Sequence, residues 1–445
     1  MNAAIFKAYD IRGEVGPDLN TSVCLDIGRA LADWLPERGT VAVGYDMRPD
    51  SKQLAEAVIE GLCLQGREVL NIGLVSSDMI YFTVGSLGLA GGAMITASHN
   101  PGSYNGIKVC REDAKPIGID TGLLAVRDAA MAGSFAAVEH RGAVTERDVR
   151  EGWIKHVLSF VDVAKWPSYH IAIDAGNGML GAIAPVLEPH TPLQIERMYF
   201  ELDGTFPNHI ANPIEPQNLV DLQAKVRSEK LDFGIAFDGD GDRSVLIDET
   251  GEPVSGTVMT AILARYFLSR SPGATILYNA ICGRIVPETV AKYGGKSIRT
   301  KVGHSYIKAD MRANDAVFAG EHSGHYFFRD NWSADSGLLA ATIAVQVLAE
   351  SGDSLSELVA EYQRYVSISE TNFEVDDKPA VIKRLKATFT DGVQDELDGL
   401  TVNYENSWFN VRPSNTEPVL RLNAEARTQD ELDVLVAKVQ LAIKG

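Results

Sequence analysis

The sequence predicts an α/β protein of several packed domains, and three observations carry that reading. Short strand-like apolar runs alternate with amphipathic helical stretches, the pattern of α/β domains. At 445 residues and 45% hydrophobic content, the chain is long enough to bury three or four such domains. A polar cluster follows each of four apolar runs, so four strand ends are expected to line one cleft.

The elements follow in order. Thr40-Val41-Ala42-Val43-Gly44-Tyr45-Asp46 reads as a strand ending in a polar loop, Leu54 to Gln65 as a helix, and Glu68-Val69-Leu70-Asn71-Ile72-Gly73 as the next strand. Gly91-Gly92-Ala93-Met94-Ile95 reads as the end of a buried strand, with turn signals at Asn100-Pro101-Gly102 and Asn105-Gly106. A first domain is expected over 1–145, followed by a helix around Trp153 to Val161. His170-Ile171-Ala172-Ile173-Asp174 opens a second domain over 146–250, with Phe233-Gly234-Ile235-Ala236-Phe237 near its end. A third domain over 251–365 includes an apolar run at Asp315-Ala316-Val317-Phe318-Ala319 and closes with a helix that Ser354 and Glu357 cap reciprocally, Tyr365 being its last residue. The segment 366–445 has a different order, with strand-like runs such as Trp408-Phe409-Asn410-Val411 and a terminal helix capped in the same way by Thr428 and Glu431. Leu432, Leu435, Val436, Val439 and Ile443 lie on one face of that helix. With no long linker or low-complexity segment, the fourth domain is expected to pack on the others.

The chemistry sits in the four polar clusters. Thr96-Ala97-Ser98-His99-Asn100 offers Ser98 as a candidate phosphate carrier in a tight turn at a strand end, against the plainer reading of a turn whose short side chains cap backbone groups. Asp238-Gly239-Asp240-Gly241-Asp242-Arg243 places three carboxylates at alternate positions with glycines between, an arrangement that can converge on one hard cation such as Mg2+. A calcium loop of the EF-hand type is the competitor, since Glu249 falls at its last ligand position. Arg243 stands where that loop needs glycine for its sharp turn, and the flanks read as strands. Arg243 can be a structural ion pair, and it can also offer a planar fork to phosphate oxygens, the role favoured here. The other two clusters are Gly320-Glu321-His322-Ser323-Gly324-His325 and Arg412-Pro413-Ser414-Asn415-Thr416-Glu417-Pro418.

A formal net charge of −19 argues against nucleic acid or anionic membrane as partners. It also means that an anionic substrate needs a locally positive cleft, which Arg12, Lys108, Arg243 and Arg412 can supply. Cys24, Cys63, Cys110 and Cys282 are scattered and form no metal-ligand pair, so free buried thiols in a reducing cytoplasm are expected. Lys7, Asp10 and Arg12 interrupt the only apolar stretch available to a signal peptide. The run Gly337 to Leu348 is too short to span a bilayer and contains Gln346.

These four clusters, in this order, resemble the α-D-phosphohexomutase superfamily, and within it the phosphomannomutase/phosphoglucomutase family. The opening Phe6-Lys7-Ala8-Tyr9-Asp10-Ile11-Arg12-Gly13 and Phe206-Pro207-Asn208-His209 are similar to that family too, and the likeness runs from Phe6 to about Ala426. The resemblance implies three related α/β domains with mixed sheets plus a smaller α+β C-terminal domain around a central cleft. It implies a phosphate on Ser98 that passes to a hexose 1-phosphate or 6-phosphate, giving a bound 1,6-bisphosphate, which also serves as activator. Mg2+ would be held by Asp238, Asp240, Asp242 and a phosphoserine oxygen. Lys108 matches the general base, a role that needs a lowered pKa, while Arg12, His99 and Arg243 match positions that place phosphate or assist transfer. Gly303 and His304 match a family cleft motif and Tyr9 is expected beside them in binding substrate, His325 either touches substrate or simply packs, and Glu321 and Ser323 match a loop that grips ring hydroxyls at C3 and C4. That grip leaves C2 unread and predicts turnover of both mannose and glucose phosphates. Arg412, Ser414, Asn415 and Thr416 match the loop holding the non-transferring phosphate. A cytoplasmic monomer or homodimer acting on small sugar phosphates is expected.

Two departures stand out. Ile281 occupies a position where many relatives place a basic side chain in the cleft, and His322 replaces the commoner methionine after Glu321. Three alternatives stay open: a phosphoglucosamine mutase, a metal-dependent phosphatase in which water takes the phosphate from Ser98, and a sugar-phosphate binding protein without turnover.

Overall fold

Among the described residues four sheets follow one another, three of them mixed and the last wholly antiparallel. The computed structural model describes residues 1–36, 39–414 and 419–445. In the first sheet the spatial order is Ile11–Glu14, Tyr104–Arg111, Gly91–Ile95, Val41–Tyr45, Val69–Leu74 and Val144–Glu146, with Lys115–Pro116 paired beside Tyr104–Arg111. Gly91–Ile95, Val41–Tyr45, Val69–Leu74 and Val144–Glu146 are parallel, and Tyr104–Arg111 runs antiparallel to all three strands it pairs with. Every residue of Gly91–Ile95 is buried, as a central strand covered on both faces requires. Its side chains alternate: Ala93 and Ile95 join the core under helices Thr21–Trp34 and Ser51–Leu64, whereas Met94 faces Met79, Ile80 and Val84 of helix Ser77–Leu87.

The second sheet orders Ser244–Asp248, Phe233–Phe237, His170–Asp174 and Gln194–Met198, and the third Lys296–Thr300, Thr275–Asn279, Phe318–Gly320, Tyr326–Phe328 and Ala334–Asp335. Each keeps a parallel centre with an antiparallel edge. The fourth builds on Val419–Ala426 and Ser407–Pro413 and is backed by helices Lys378–Thr388 and Gln429–Lys444.

One hydrophobic core is shared by the first three sheets, each of which also packs a further core on its other face, and the fourth has its own. The apolar run at Gly337 becomes helix Gly337–Ser351, buried on all sides from Gly337 through Leu348. A helix apolar all round has to sit inside protein or lipid. Here it is inside protein, and Gln346 Oε1 accepts from Trp166 Nε1 and the Asp162 amide, both at 2.9 Å. Among the described residues no helix is long and apolar enough to cross a membrane. The four cysteines are buried and unpaired.

Three local expectations need correction. The helix expected around Trp153 to Val161 spans Arg150–Leu158, because Asp148 Oδ1 accepts from the Arg150 amide at 3.0 Å and starts it earlier. The apolar run at Asp315 enters its strand only at Phe318, since Asp315 takes a left-handed conformation (φ 47°) after helix His304–Ala313. Ser354 and Glu357 form the reciprocal cap. At the last helix only the Thr428 half forms, Thr428 Oγ1 accepting from the Glu431 amide at 3.3 Å.

Candidate active site

The strand ends Ile95 and Phe237 deliver two polar loops to one point. Ser98 sits in the left-handed region (φ 51°), a conformation that costs a non-glycine residue energy, and its amide donates to Thr96 Oγ1 at 2.9 Å. Its hydroxyl donates to Asp238 Oδ2 at 2.9 Å and lies 3.0 Å from His99 Nδ1. A Cβ on Gly239 would stand 2.5 Å from Ser98 O, so the two loops approach this closely only with glycine there. Gly241 has φ +79°, which turns the chain between Asp240 and Asp242 and lets the alternate carboxylates converge.

Asp238, Asp240 and Asp242 are all buried and bring oxygens within 4.8 Å of one another. Asp238 accepts from the Arg243 amide at 3.1 Å and from Arg243 Nε at 3.0 Å. Asp240 Oδ2 accepts from Ser77 Oγ at 2.5 Å and Lys108 Nζ at 2.6 Å, and Asp242 Oδ2 accepts from the same Nζ at 2.5 Å. Asp240 Oδ1 and Asp242 Oδ1 are buried without a hydrogen-bond partner. A hard divalent cation fits this donor set, in which all ligand atoms are carboxylate oxygens and two make no hydrogen bond.

Burial opposes ionisation of all three acids. It prevails at Asp238, whose carboxyl is pushed well above its ordinary value by burial and by Asp242. At Asp240 and Asp242 the neighbouring Lys108 ammonium overcomes burial and holds the carboxylates below their ordinary value. Lys108 itself, despite burial, is raised well above the usual lysine range by Asp240 and Asp242. In this arrangement it is an ammonium counter-ion, opposite to the lowered pKa that a general base needs.

His99 is held well below its ordinary value by burial and by Arg243 and Arg12, and is therefore neutral near pH 7. Arg12 pairs with Asp10 at 2.5 Å and donates to Asn100 Oδ1 at 2.7 Å. Arg243 combines both readings of the sequence: Nε is committed to Asp238, whereas Nη2 is buried without a hydrogen-bond partner.

The third domain closes on the same point. His325 Nε2 lies 3.7 Å from Asp242 Oδ1, and His325 pairs across a backbone bridge with Arg243. Ser323 Oγ is 3.1 Å from His325 Nδ1 and 3.5 Å from Glu321 Oε2, while Glu321 Oε1 accepts from the Gly303 amide and Asn279 Nδ2, each at 3.2 Å. Tyr9 meets His304 edge-on at 5.0 Å and donates to Val302 O at 3.4 Å. His304 is lowered to about 3 by burial and by Lys308. His322 turns its Nδ1 to Thr257 Oγ1 at 3.0 Å, and Ile281 is buried. From the fourth domain, Arg412 is buried against Glu370 at 3.3 Å with its Nε lacking a hydrogen-bond partner, and the Ser414 amide donates to Val419 O. Asn415 and Thr416 lie outside the described residues.

Ser77 is a contributor that the sequence reading missed, although its signal was the same: a polar cluster, Ser76-Ser77-Asp78, directly after strand Val69–Leu74. A cavity of about 350 Å³ lined by Tyr169, Arg227 and Asp353 holds none of these groups.

Four family models cover the chain in order. They are phosphoglucomutase/phosphomannomutase alpha/beta/alpha domain I at residues 3–131, domain II at 151–251, domain III at 255–365 and the C-terminal domain at 370–442. The chain is 41% identical over 430 residues to a protein of Xanthomonas campestris pv. campestris named "Phosphohexose mutases", covering 96% of each. It is 36% identical over 438 residues to the phosphomannomutase/phosphoglucomutase of Pseudomonas aeruginosa, covering 97% of this chain and 93% of that one. A crystal structure of a phosphoglucomutase/phosphomannomutase family protein from Burkholderia thailandensis superimposes with a TM-score of 0.92 at 31% identity, covering 100% of this chain and 98% of that one.

Proposed function

The chain belongs to the phosphoglucomutase/phosphomannomutase family, and from that premise we propose how its loops divide the work of a phosphohexomutase. It is an intramolecular phosphotransferase that interconverts hexose 1-phosphates and 6-phosphates, with mannose and glucose as the sugars. The observation that carries the assignment of the reacting group is the 2.9 Å contact of Ser98 Oγ with Asp238, inside a cluster fed by three domains.

Ser98 is the phosphate carrier. In the first transfer the bond from phosphorus to Ser98 Oγ breaks as the bond to the free O1 or O6 of a bound monophosphate forms. The sugar hydroxyl gives up its proton and the serine oxygen takes one back. The resulting 1,6-bisphosphate turns end for end, and its other phosphoryl group returns to Ser98 by the reverse exchange, so nothing is consumed. A trace of hexose 1,6-bisphosphate restores the phosphoserine when it is lost. Such chemistry asks for positioning and charge neutralisation.

Arg12, Lys108 and Arg243 bring cationic groups to the cleft of a chain of net charge −19, where they balance the carboxylates of Asp10, Asp238, Asp240 and Asp242. Arg12 Nε, Arg243 Nη2 and Arg412 Nε are buried without a hydrogen-bond partner and are donors open to phosphate oxygens. Lys108 is the proposed proton acceptor. Since it is held here as an ammonium, that role requires another cation to take over its two carboxylates. His99, neutral beside Ser98 Oγ, assists in orienting the hydroxyl. Asp238, Asp240 and Asp242 with a phosphoserine oxygen would hold Mg2+, whose bound charge neutralises the transferring phosphoryl group. Glu321 and Ser323 grip the sugar hydroxyls at C3 and C4, with Tyr9, Gly303, His304 and His325 around them, and Arg412, Ser414, Asn415 and Thr416 hold the idle phosphate. Every group named comes from one chain, so a monomer suffices and a homodimer is equally compatible. Sugar-phosphate substrates support a cytoplasmic location.

The test is to supply mannose 1-phosphate and glucose 1-phosphate with Mg2+ and a trace of glucose 1,6-bisphosphate. Both convert to their 6-phosphates under this reading. Release of inorganic phosphate without isomerised sugar contradicts it.

A further inference from the structure

We propose that Arg48 is the positioning residue of this site, holding the Ser98 turn in its left-handed conformation so that the hydroxyl faces the acidic loop. Arg48 lies outside every cluster that carries chemistry, yet its side chain is almost fully enclosed and its fork is spent entirely on the serine loop. Nη2 donates to Ser98 O at 2.8 Å and Asn100 O at 2.5 Å, while Nη1 donates to Pro101 O at 2.8 Å and Tyr104 O at 2.9 Å. These four carbonyls run from Ser98 to Tyr104, through the serine loop to the start of the strand that leaves it, and no other side chain supplies several planar donors in a fixed fork.

The guanidinium is itself fixed. Its Nε lies 3.4 Å from Asp46 Oδ2, and Asp46 Oδ1 accepts from the Arg48 amide at 3.0 Å and from Ser51 Oγ at 2.5 Å. Asn105 Nδ2, from the strand that leaves the serine loop, donates to Ser51 Oγ at 2.9 Å. From the second domain, the Phe206 ring covers the guanidinium at 5.2 Å. The serine turn is thus gripped by Arg48 on one side and met by Gly239 and Asp238 on the other.

A strained turn persists only where its surroundings over-determine it. Ser98 is non-glycine at φ 51°, and the Arg48 fork fixes its carbonyl together with three carbonyls that follow it. This inference rests on Ser98 being the phosphate carrier. A lysine at position 48 keeps the charge but not the four-carbonyl fork, and Arg48→Gln keeps two hydrogens on a shorter side chain.

The experiment compares the unaltered enzyme with Arg48→Lys and Arg48→Gln, using glucose 1,6-bisphosphate as phosphoryl donor and mannose 1-phosphate as substrate. Folding is checked by circular dichroism and gel filtration, so that either variant carries the test if the other misfolds. Misplacing a reacting atom by about 1 Å costs roughly 100-fold in rate. The expected result is therefore a fall in kcat of about 100-fold with KM changed less than about 3-fold, and slower labelling of Ser98 in single turnover. A folded variant with unchanged kcat, or one whose loss lies in KM alone, overturns the inference. Intact mass of the unaltered enzyme separates the two levels. If it never gains a phosphoryl group at Ser98, the phosphoserine reading fails and this inference with it; if it does and the variants turn over normally, only the inference fails.

Discussion

Ser98 donates a 2.9 Å hydrogen bond to Asp238, a residue 140 positions further along the chain and in a loop that leaves a different sheet. The nucleophile and the acidic loop are therefore assembled by domain packing, and each can be altered with separate consequences for folding and for turnover.

Ser98→Gly separates those consequences. The substitution deletes the hydroxyl and relieves the left-handed backbone by roughly 1 kcal/mol, offset by the entropy of the added glycine. Thermal unfolding should stay within a few degrees of the parent, while mutase turnover falls below detection. Retained turnover in Ser98→Gly removes Ser98 from the mechanism.

Asp240→Asn removes charge from the proposed cation site and from the partner of Lys108. Activation of turnover by Mg2+ should shift to at least about ten-fold higher concentration. A titration curve that overlays the parent's means that the cation binds elsewhere.

Asp78 gives the sign of a pH effect. Its carboxyl accepts from Ser76 Oγ at 2.5 Å and from Ser336 Oγ at 2.6 Å, joining the first and third domains, and burial raises it to about 7. A carboxyl raised on folding binds its proton more tightly in the folded state, so its contribution is full below about pH 4 and is lost as pH rises towards about 7. Asp78→Asn stays neutral throughout, and its stability relative to the parent should rise by roughly 2–3 kcal/mol between pH 5 and pH 8. Urea unfolding at the two pH values measures this, and a constant difference between the proteins refutes it.

Arg284 ties the third domain to the fourth, donating to the carbonyls of Tyr404, Glu405 and Ser407, while Glu425 accepts from the Arg284 amide at 3.0 Å. Arg284→Ala loosens the domain that carries Arg412. The idle phosphate should then be held less well, raising KM about ten-fold with kcat lowered less. Steady-state kinetics on mannose 1-phosphate decide it, and an unchanged KM excludes the fourth domain from ground-state binding.

What was legible in the sequence follows from locality. His170–Asp174 and Phe233–Phe237 are five-residue runs with apolar centres ended by abrupt polar turns, and both strands have those bounds in the structure. The Ser98 and Asp238 loops were visible for the same reason. Ser77 and Arg48 were not, because their partners, Asp240 and the serine turn, are chosen by packing between segments distant in sequence. The state of Lys108 was equally hidden: a motif places the amine, but its proton affinity depends on two carboxylates of another domain. Likewise Arg243 could be read either as an ion pair or as a phosphate fork, and only its geometry shows Nε committed and Nη2 open.

The most direct test of the central claim is a chase of the phosphoenzyme. The protein is charged with glucose 1,6-bisphosphate, freed of excess ligand, and mixed with mannose 1-phosphate while the Ser98 peptide is followed by mass spectrometry. The account predicts phosphoserine at Ser98 that disappears within one turnover as mannose 1,6-bisphosphate forms. Phosphate that stays on Ser98 while substrate is isomerised, or that leaves only as inorganic phosphate, would contradict it.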